Sequence, residues 1–150
     1  MIGIDTNILL RLWLNDDPAQ NTRIDSSLAE HGSTPGSLLV TDGVLAQAMW
    51  ALRSAFDQDE AGQLIAVRSL LHETAFAFDD REAVIQAAEM FERGHCGFSD
   101  CLVVAKHARQ GCEFTVTFDR GMRKLPGGQG PLRANGSSSQ MPSQLAFATS

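Results

Sequence analysis

Short apolar runs alternate along this chain with longer stretches of helical period, and few folds accommodate that order. Residues 1–5 ("MIGID") read as a strand, and "LLV" at 38–40 is fully apolar, as a buried parallel strand requires. "TAFAF" alternates, and "EFTVTFD" is the last clear strand. Between them the spacing predicts helices over about 7–14, 18–30, 41–56 and 59–72, then over "DDREAVIQAAEMFERG" and "FSDCLVVAKHARQG". Strands separated by helices point to an α/β fold with a mainly parallel sheet covered on both faces.

The helix limits carry their own signals. Pro18 suits a first turn, and Thr41 is placed to cap the third helix. In that helix Leu45, Ala48, Met49, Leu52 and Phe56 form a core stripe at spacings of three and four. Leu64, Val67, Leu70 and Leu71 face inward on the next. Ser99 is the expected cap of the last helix and Gly111 its stop. From about Gly127 the chain turns rich in Gly, Ser, Pro and Gln and loses its apolar period. The expected organisation is one domain over 1–126, followed by a flexible low-complexity tail over 127–150.

No apolar run approaches the roughly 20 residues of a membrane helix. No basic segment leads into a cleavable apolar one at the N-terminus. The three cysteines, Cys96, Cys101 and Cys112, have no framework spacing. The expected compartment is therefore the cytoplasm, with no membrane partner. A net charge of −6 argues against broad adhesion to nucleic acid, yet six of the 12 Lys and Arg residues lie between 106 and 133. That strip reads equally as a phosphate-binding surface or as a solvated one. His95, Cys96, Cys101 and His107 fit no common zinc spacing. Trp13 and Trp50 sit on helices among apolar neighbours, so core or interface packing is expected of both.

In open parallel sheets, sites form beyond the carboxyl ends of the strands. Two apolar strands here end in an acid, Asp5 and Asp119, and Asp100 lies in the first turn of a helix. Each has an ordinary reading: Asp5 as a helix cap, Asp100 as a dipole partner, Asp119 as a turn acid. If the two strands are neighbours, the three carboxylates meet at one edge, where their repulsion calls for a divalent cation, Mg²⁺ or Mn²⁺. A haloacid-dehalogenase-like phosphotransferase would need a second Asp where Asn7 stands, and a receiver domain's acid and lysine set is missing.

"IDTNILLR", "VLAQAMWALRS", "GFSDCLVVAKHARQGC" and "VTFDRGMRKLPG" resemble PIN domains, specifically the VapC-like toxin ribonucleases of bacterial toxin–antitoxin pairs. The resemblance covers about residues 1–127, with the motifs in family order. It implies a PIN-like three-layer α/β/α sandwich and a metal-dependent endoribonuclease acting on structured RNA such as tRNA. Asp5, Asp100 and Asp119 match the family acids that hold the metal. Thr6 and Asn7 match the polar pair orienting the first acid, and Thr117 the supporting hydroxyl. Ser99 stands beside the helix acid. Arg120, Arg123 and Lys124 are the candidates for RNA phosphate contacts. The resemblance also implies a VapB-like antitoxin and a homodimer. Three positions depart from the pattern: Gln47 stands where the family has a Glu, and Gly97 and Gly121 stand where related toxins often have Asp. Gln47 keeps a coordinating oxygen but loses the charge, leaving it a weak or outer-shell ligand. The alternative is an impaired domain that binds RNA or antitoxin without cutting.

Overall fold

A computed structural model describes residues 1–15 and 17–133. The parallel core begins with β1 (Ile2–Gly3), β2 (Leu38–Val40) and β3 (Phe76–Phe78), hydrogen-bonded in that order. Their register pairs Ile2 with Leu38, Leu38 with Phe76 and Val40 with Phe78. β4 (Thr115–Val116) pairs in parallel with β5 (Gly128–Gln129). These two are not hydrogen-bonded into the three-stranded sheet, so the strands ending in Asp5 and Asp119 are not paired neighbours. Gly128 and Gln129, expected in the tail over 127–150, belong to this second pair. The expected tail over 134–150 lies outside the described residues.

Six α-helices are described: α1 (Thr6–Leu14), α2 (Pro18–His31), α3 (Asp42–Ser54), α4 (Glu60–His72), α5 (Arg81–Glu92) and α6 (Phe98–Arg109). Carboxylates start four of them by taking up backbone N–H groups that the first turn leaves unpaired. Asp17 accepts from Gln20 at 3.1 Å, Asp59 from Gly62 at 2.8 Å, and Asp80 from Ala83 at 3.2 Å. Asp5 does the same for α1, accepting the Thr6 N–H at 2.8 Å. Two expected caps act differently. Thr41 occupies the cap position of α3 but makes no side-chain cap bond; Asp79, just after β3, accepts the Asp42 N–H at 2.8 Å instead. Gly97, not Ser99, is the cap position of α6, and Ser99 is the helix's second residue.

The core joins the inward stripes of these helices. Leu45, Ala48, Met49 and Leu52 of α3 are buried, whereas Phe56 lies beyond the helix end and is partly exposed. Val67 and Leu70 of α4 are buried, with Leu64 and Leu71 packed against the cluster. Phe98 of α6 is buried edge-on to Phe91 of α5, with ring centroids 6.1 Å apart, a geometry favoured by the ring quadrupoles. Asp80 also accepts Arg109 Nε at 2.6 Å, tying the start of α5 to the end of α6. That guanidinium holds the Asp80 carboxyl below its ordinary value.

Candidate functional site

The positions singled out from sequence lie on four pieces of chain, connected through the middle of α3. Gln47 Oε1 accepts the Thr6 hydroxyl at 2.9 Å, joining α3 to the turn after β1. One residue earlier, the Ala46 carbonyl faces Ser99 Oγ at 3.5 Å, joining α3 to the first turn of α6. Gln47 is therefore beside the Asp5 turn.

Asp100 follows Ser99 and is half-buried. Burial, and then the negative charge of Asp119, push its carboxyl above the ordinary value of 3.8. The charge of Asp119 therefore reaches Asp100, although one acid follows a strand and the other opens a helix. Asp119 is held by its own turn. Its N–H donates to Thr117 Oγ1 at 3.0 Å, and its Oδ1 accepts the Met122 N–H at 2.8 Å. The Thr117 hydroxyl thus holds the backbone N–H of Asp119.

Asp5 is exposed, and one of its oxygens caps α1. Among the described residues no three His, Cys, Asp or Glu side chains stand together in a group that could hold a metal. The structure thus brings Asp100 and Asp119 together and leaves Asp5 linked to them through Thr6 and Gln47. Asp5 and Asp119 each commit one oxygen to a backbone N–H. Asn7 is exposed one residue into α1 and lies on the far side of that turn, lining a groove between α1 and α2.

Does a divalent cation fit here? None of Asp5, Asp100 and Asp119 forms an ion pair with a cationic side chain among the described residues. Two uncompensated carboxylates are a suitable donor set for Mg²⁺, which is held by one or two carboxylates with water and substrate phosphate completing its shell. Asp100 and Asp119 would hold the ion.

The basic strip divides in two. Lys106 pairs with Asp42 at 3.1 Å and Arg109 with Asp80, so both are neutralised within the fold. Arg120, Arg123 and Lys124 remain exposed around Asp119. Arg123 Nε donates to the Thr117 carbonyl at 3.1 Å, which fixes the guanidinium close to the acid's turn.

Three neighbours were not legible as site residues. Cys96 lies beside both acids: burial raises its thiol most, the contact with Cys101 opposes this, and the charges of Asp100 and Asp119 add to the rise. Its Sγ stands 3.5 Å from Cys101 Sγ. Trp50 and Arg53 share a cleft of about 180 Å³ with Ser99 and Asp100. The one signal for Trp50 was its place a helical turn after Gln47. It is 69% exposed, so of core and interface packing, both expected, core packing fails for it and interface packing is untested by a single chain.

The family model of the PIN domain matches residues 2–128, and the chain belongs to the PIN domain family. Searches among curated proteins and among solved structures found no match. Six helices on parallel strands make the α/β/α architecture of that family. PIN domains are in general metal-dependent nucleases. No helix among the described residues is long and apolar enough to cross a membrane.

Proposed function

We propose that this protein is a Mg²⁺-dependent endoribonuclease, the VapC-like toxin of a toxin–antitoxin pair, cutting structured RNA such as tRNA in the cytoplasm. The observation that carries the nuclease reading is the half-buried Asp100 within reach of the charge of Asp119, with no cationic side chain paired to either among the described residues. Bound there, Mg²⁺ supplies Lewis-acid polarisation of the phosphate and offsets the charge that develops on it. Asp100 and Asp119 would be the residues that hold that ion. The Met122 N–H keeps the Asp119 carboxylate in one orientation, as outer hydrogen bonds do for metal ligands, and the Thr117 hydroxyl holds the backbone N–H of the same residue. Arg120, Arg123 and Lys124 hold the flanking phosphates, and in-line attack leaves a 5′-phosphate and a 3′-hydroxyl.

A VapB-like antitoxin is the proposed partner. An acid pair without its own cation accepts an Arg from another chain by charge-assisted hydrogen bonds. The toxin is proposed to work as a homodimer. A calorimetric Mg²⁺ titration, run beside cleavage of a total tRNA pool, tests the nuclease reading. Wild type is expected to bind Mg²⁺ and cut, and Asp5→Asn to cut more slowly. No divalent binding, or equal cutting by both proteins, sinks it.

The Gln47 bond to Thr6 favours a second reading, in which the site binds RNA or antitoxin but cuts poorly. Gln47→Glu keeps an acceptor for the Thr6 hydroxyl and restores a charge near Asp5. The variant is expected to bind Mg²⁺ more tightly and to cut faster, by about tenfold for each 1.4 kcal/mol gained. If neither titration nor cleavage changes, residue 47 does not act on the metal.

A further inference from the structure

Cys96 and Cys101 stand with their sulfurs 3.5 Å apart at the entrance to α6, and both thiols are free. Gly97 is the cap position of that helix, so Cys96 precedes the cap and Cys101 is the fourth helical residue. At these two places apolar side chains commonly pack together and fix the angle at which the chain enters a helix. Here the pair that fixes it consists of two thiols, and two thiols in contact can be joined covalently.

The segment they hold is the one on which the Asp119 turn rests. A side chain at Gly121 would collide with the His95 carbonyl and crowd both Cys96 Cβ and Asp119 Oδ1, so these groups pack closely around that glycine. Cys101 follows Asp100 directly in the first turn of α6. Each cysteine therefore adjoins one acid, Cys96 the turn of Asp119 and Cys101 the helix turn of Asp100. A disulfide bond is about 2.0 Å long, so joining the sulfurs closes the gap between them by roughly 1.5 Å. Cys101 belongs to the hydrophobic core and Cys96 only packs against it, so Cys96 takes up the movement. The turn resting on Cys96 then shifts relative to Asp100, and a cation held by both acids loses affinity.

We propose that Cys96 and Cys101 form a modification site, at which a hydroperoxide closes a disulfide that displaces the Asp119 turn and weakens Mg²⁺ binding. The effect on the metal rests on the nuclease reading; the disulfide itself does not. The oxidant reaches Cys96 through a cleft of about 360 Å³ that this residue lines with Arg53, His95 and Gly97. With hydrogen peroxide, the Cys96 sulfur breaks the O–O bond and becomes a sulfenic acid, releasing one water. The Cys101 sulfur then attacks the Cys96 sulfur. The S–O bond breaks, and the hydroxyl leaves as a second water with the Cys101 proton. The two thiols lose two electrons, and the peroxide takes them up. Burial raises the Cys96 thiol, so it reacts slowly, and the pair answers to sustained oxidant rather than to a brief exposure.

The test uses the full chain carrying Cys112→Ser, which removes the exposed third thiol. The protein is treated with hydrogen peroxide and then freed of it. Cys96 and Cys101 fall on one tryptic peptide, residues 94–106, whose mass is expected to drop by two hydrogens. Calorimetry is expected to show Mg²⁺ binding about tenfold weaker after oxidation, the lower end of the range for disturbing the support of a metal ligand. The Met122 amide, which donates to Asp119, is expected to exchange faster with deuterium. Dithiothreitol is expected to reverse all three changes, unlike methionine oxidation, which needs a reductase. Cys96→Ser is expected to keep after peroxide whatever Mg²⁺ affinity it had before. A peptide that keeps or gains mass, or a disulfide that leaves Mg²⁺ affinity unchanged, overturns the proposal and leaves the nuclease reading intact. If neither form binds Mg²⁺, the nuclease reading falls and the Met122 amide decides. Faster exchange after oxidation then upholds the disulfide's action on the turn, and equal exchange refutes it.

Discussion

Asp100→Asn is expected to melt at a higher temperature than wild type near neutral pH without divalent ions, and to cut RNA more than about 100-fold more slowly. Both effects come from the carboxyl that burial and Asp119 push upward. The folded protein binds this proton more tightly than the unfolded chain, whose carboxyl titrates near its ordinary 3.8. Above that value the native state carries the excess proton, so stability falls as pH rises through the native pKa, and the full loss stands at neutral pH. Asn carries no charge to repel and removes this loss. The difference in melting temperature is expected to be small near pH 4 and to open as pH rises toward 7. Added Mg²⁺ reverses the order. It binds and stabilises the native wild type by mass action, and has little to bind in the variant. The loss of cutting exceeds the roughly 10–100-fold typical of an outer partner, because Asp100 is proposed to hold the ion directly. Calorimetric melting across that pH range, with and without Mg²⁺, checks the first claim, and single-turnover cleavage the second. A variant that melts lower at pH 7, or that gains as much from Mg²⁺ as wild type, removes Asp100 from the metal site.

The elements legible in the sequence were those fixed by local rules. "LLV" became β2 over its whole length because three apolar residues between loops have few alternatives. α2 begins at Pro18 behind the cap of Asp17, both of them short-range signals. Long-range choices were less legible. The hydroxyls of Thr41 and Ser99 look like caps, but Asp79 serves the start of α3, and Ser99 turns toward α3 from within its helix. β5 has no strand composition. Gly128 pairs with β4 because it has no side chain to collide with the Met122 carbonyl, a constraint invisible until the turn is folded.

The acids were legible by position, at strand ends and a helix start. The topology of their meeting was not. The two strands are not hydrogen-bonded to each other; β1 pairs with β2 and β4 with β5. It is α3, through Gln47 and Ala46, that joins the Asp5 turn to α6, and the charge of Asp119 that reaches Asp100. The exposure of Trp50 was illegible for a related reason. Its neighbours in sequence are apolar, but the helix turns Met49 inward and Trp50 outward.

Gly121→Ala is expected to cost about 1–3 kcal/mol of stability, the range for forcing a group into filled space, and to reduce cutting nearly as far as loss of an acid does. The backbone angle at Gly121 is no obstacle, since φ −67° and ψ −45° are open to any residue. The obstacle is space. A Cβ there collides with the His95 carbonyl oxygen and stands 3.2 Å from both Cys96 Cβ and Asp119 Oδ1. A flexible side-chain tip yields cheaply, but this carbonyl belongs to the backbone that leads through Gly97 into α6. The turn carrying Asp119 must therefore back away from the segment carrying Asp100, and the two acids separate. By the same collision an Asp at 121 would add no ligand here: it would displace Asp119. Because the charge of Asp119 then lies farther from Asp100, the pH dependence of stability described for Asp100 is expected to flatten in Gly121→Ala. Denaturant titrations at pH 5 and pH 7, beside Mg²⁺ binding, measure both effects. If Gly121→Ala unfolds with wild type and binds Mg²⁺ as tightly, the 119–124 turn does not depend on its contact with His95 and Cys96, and the acid pair is held by other means.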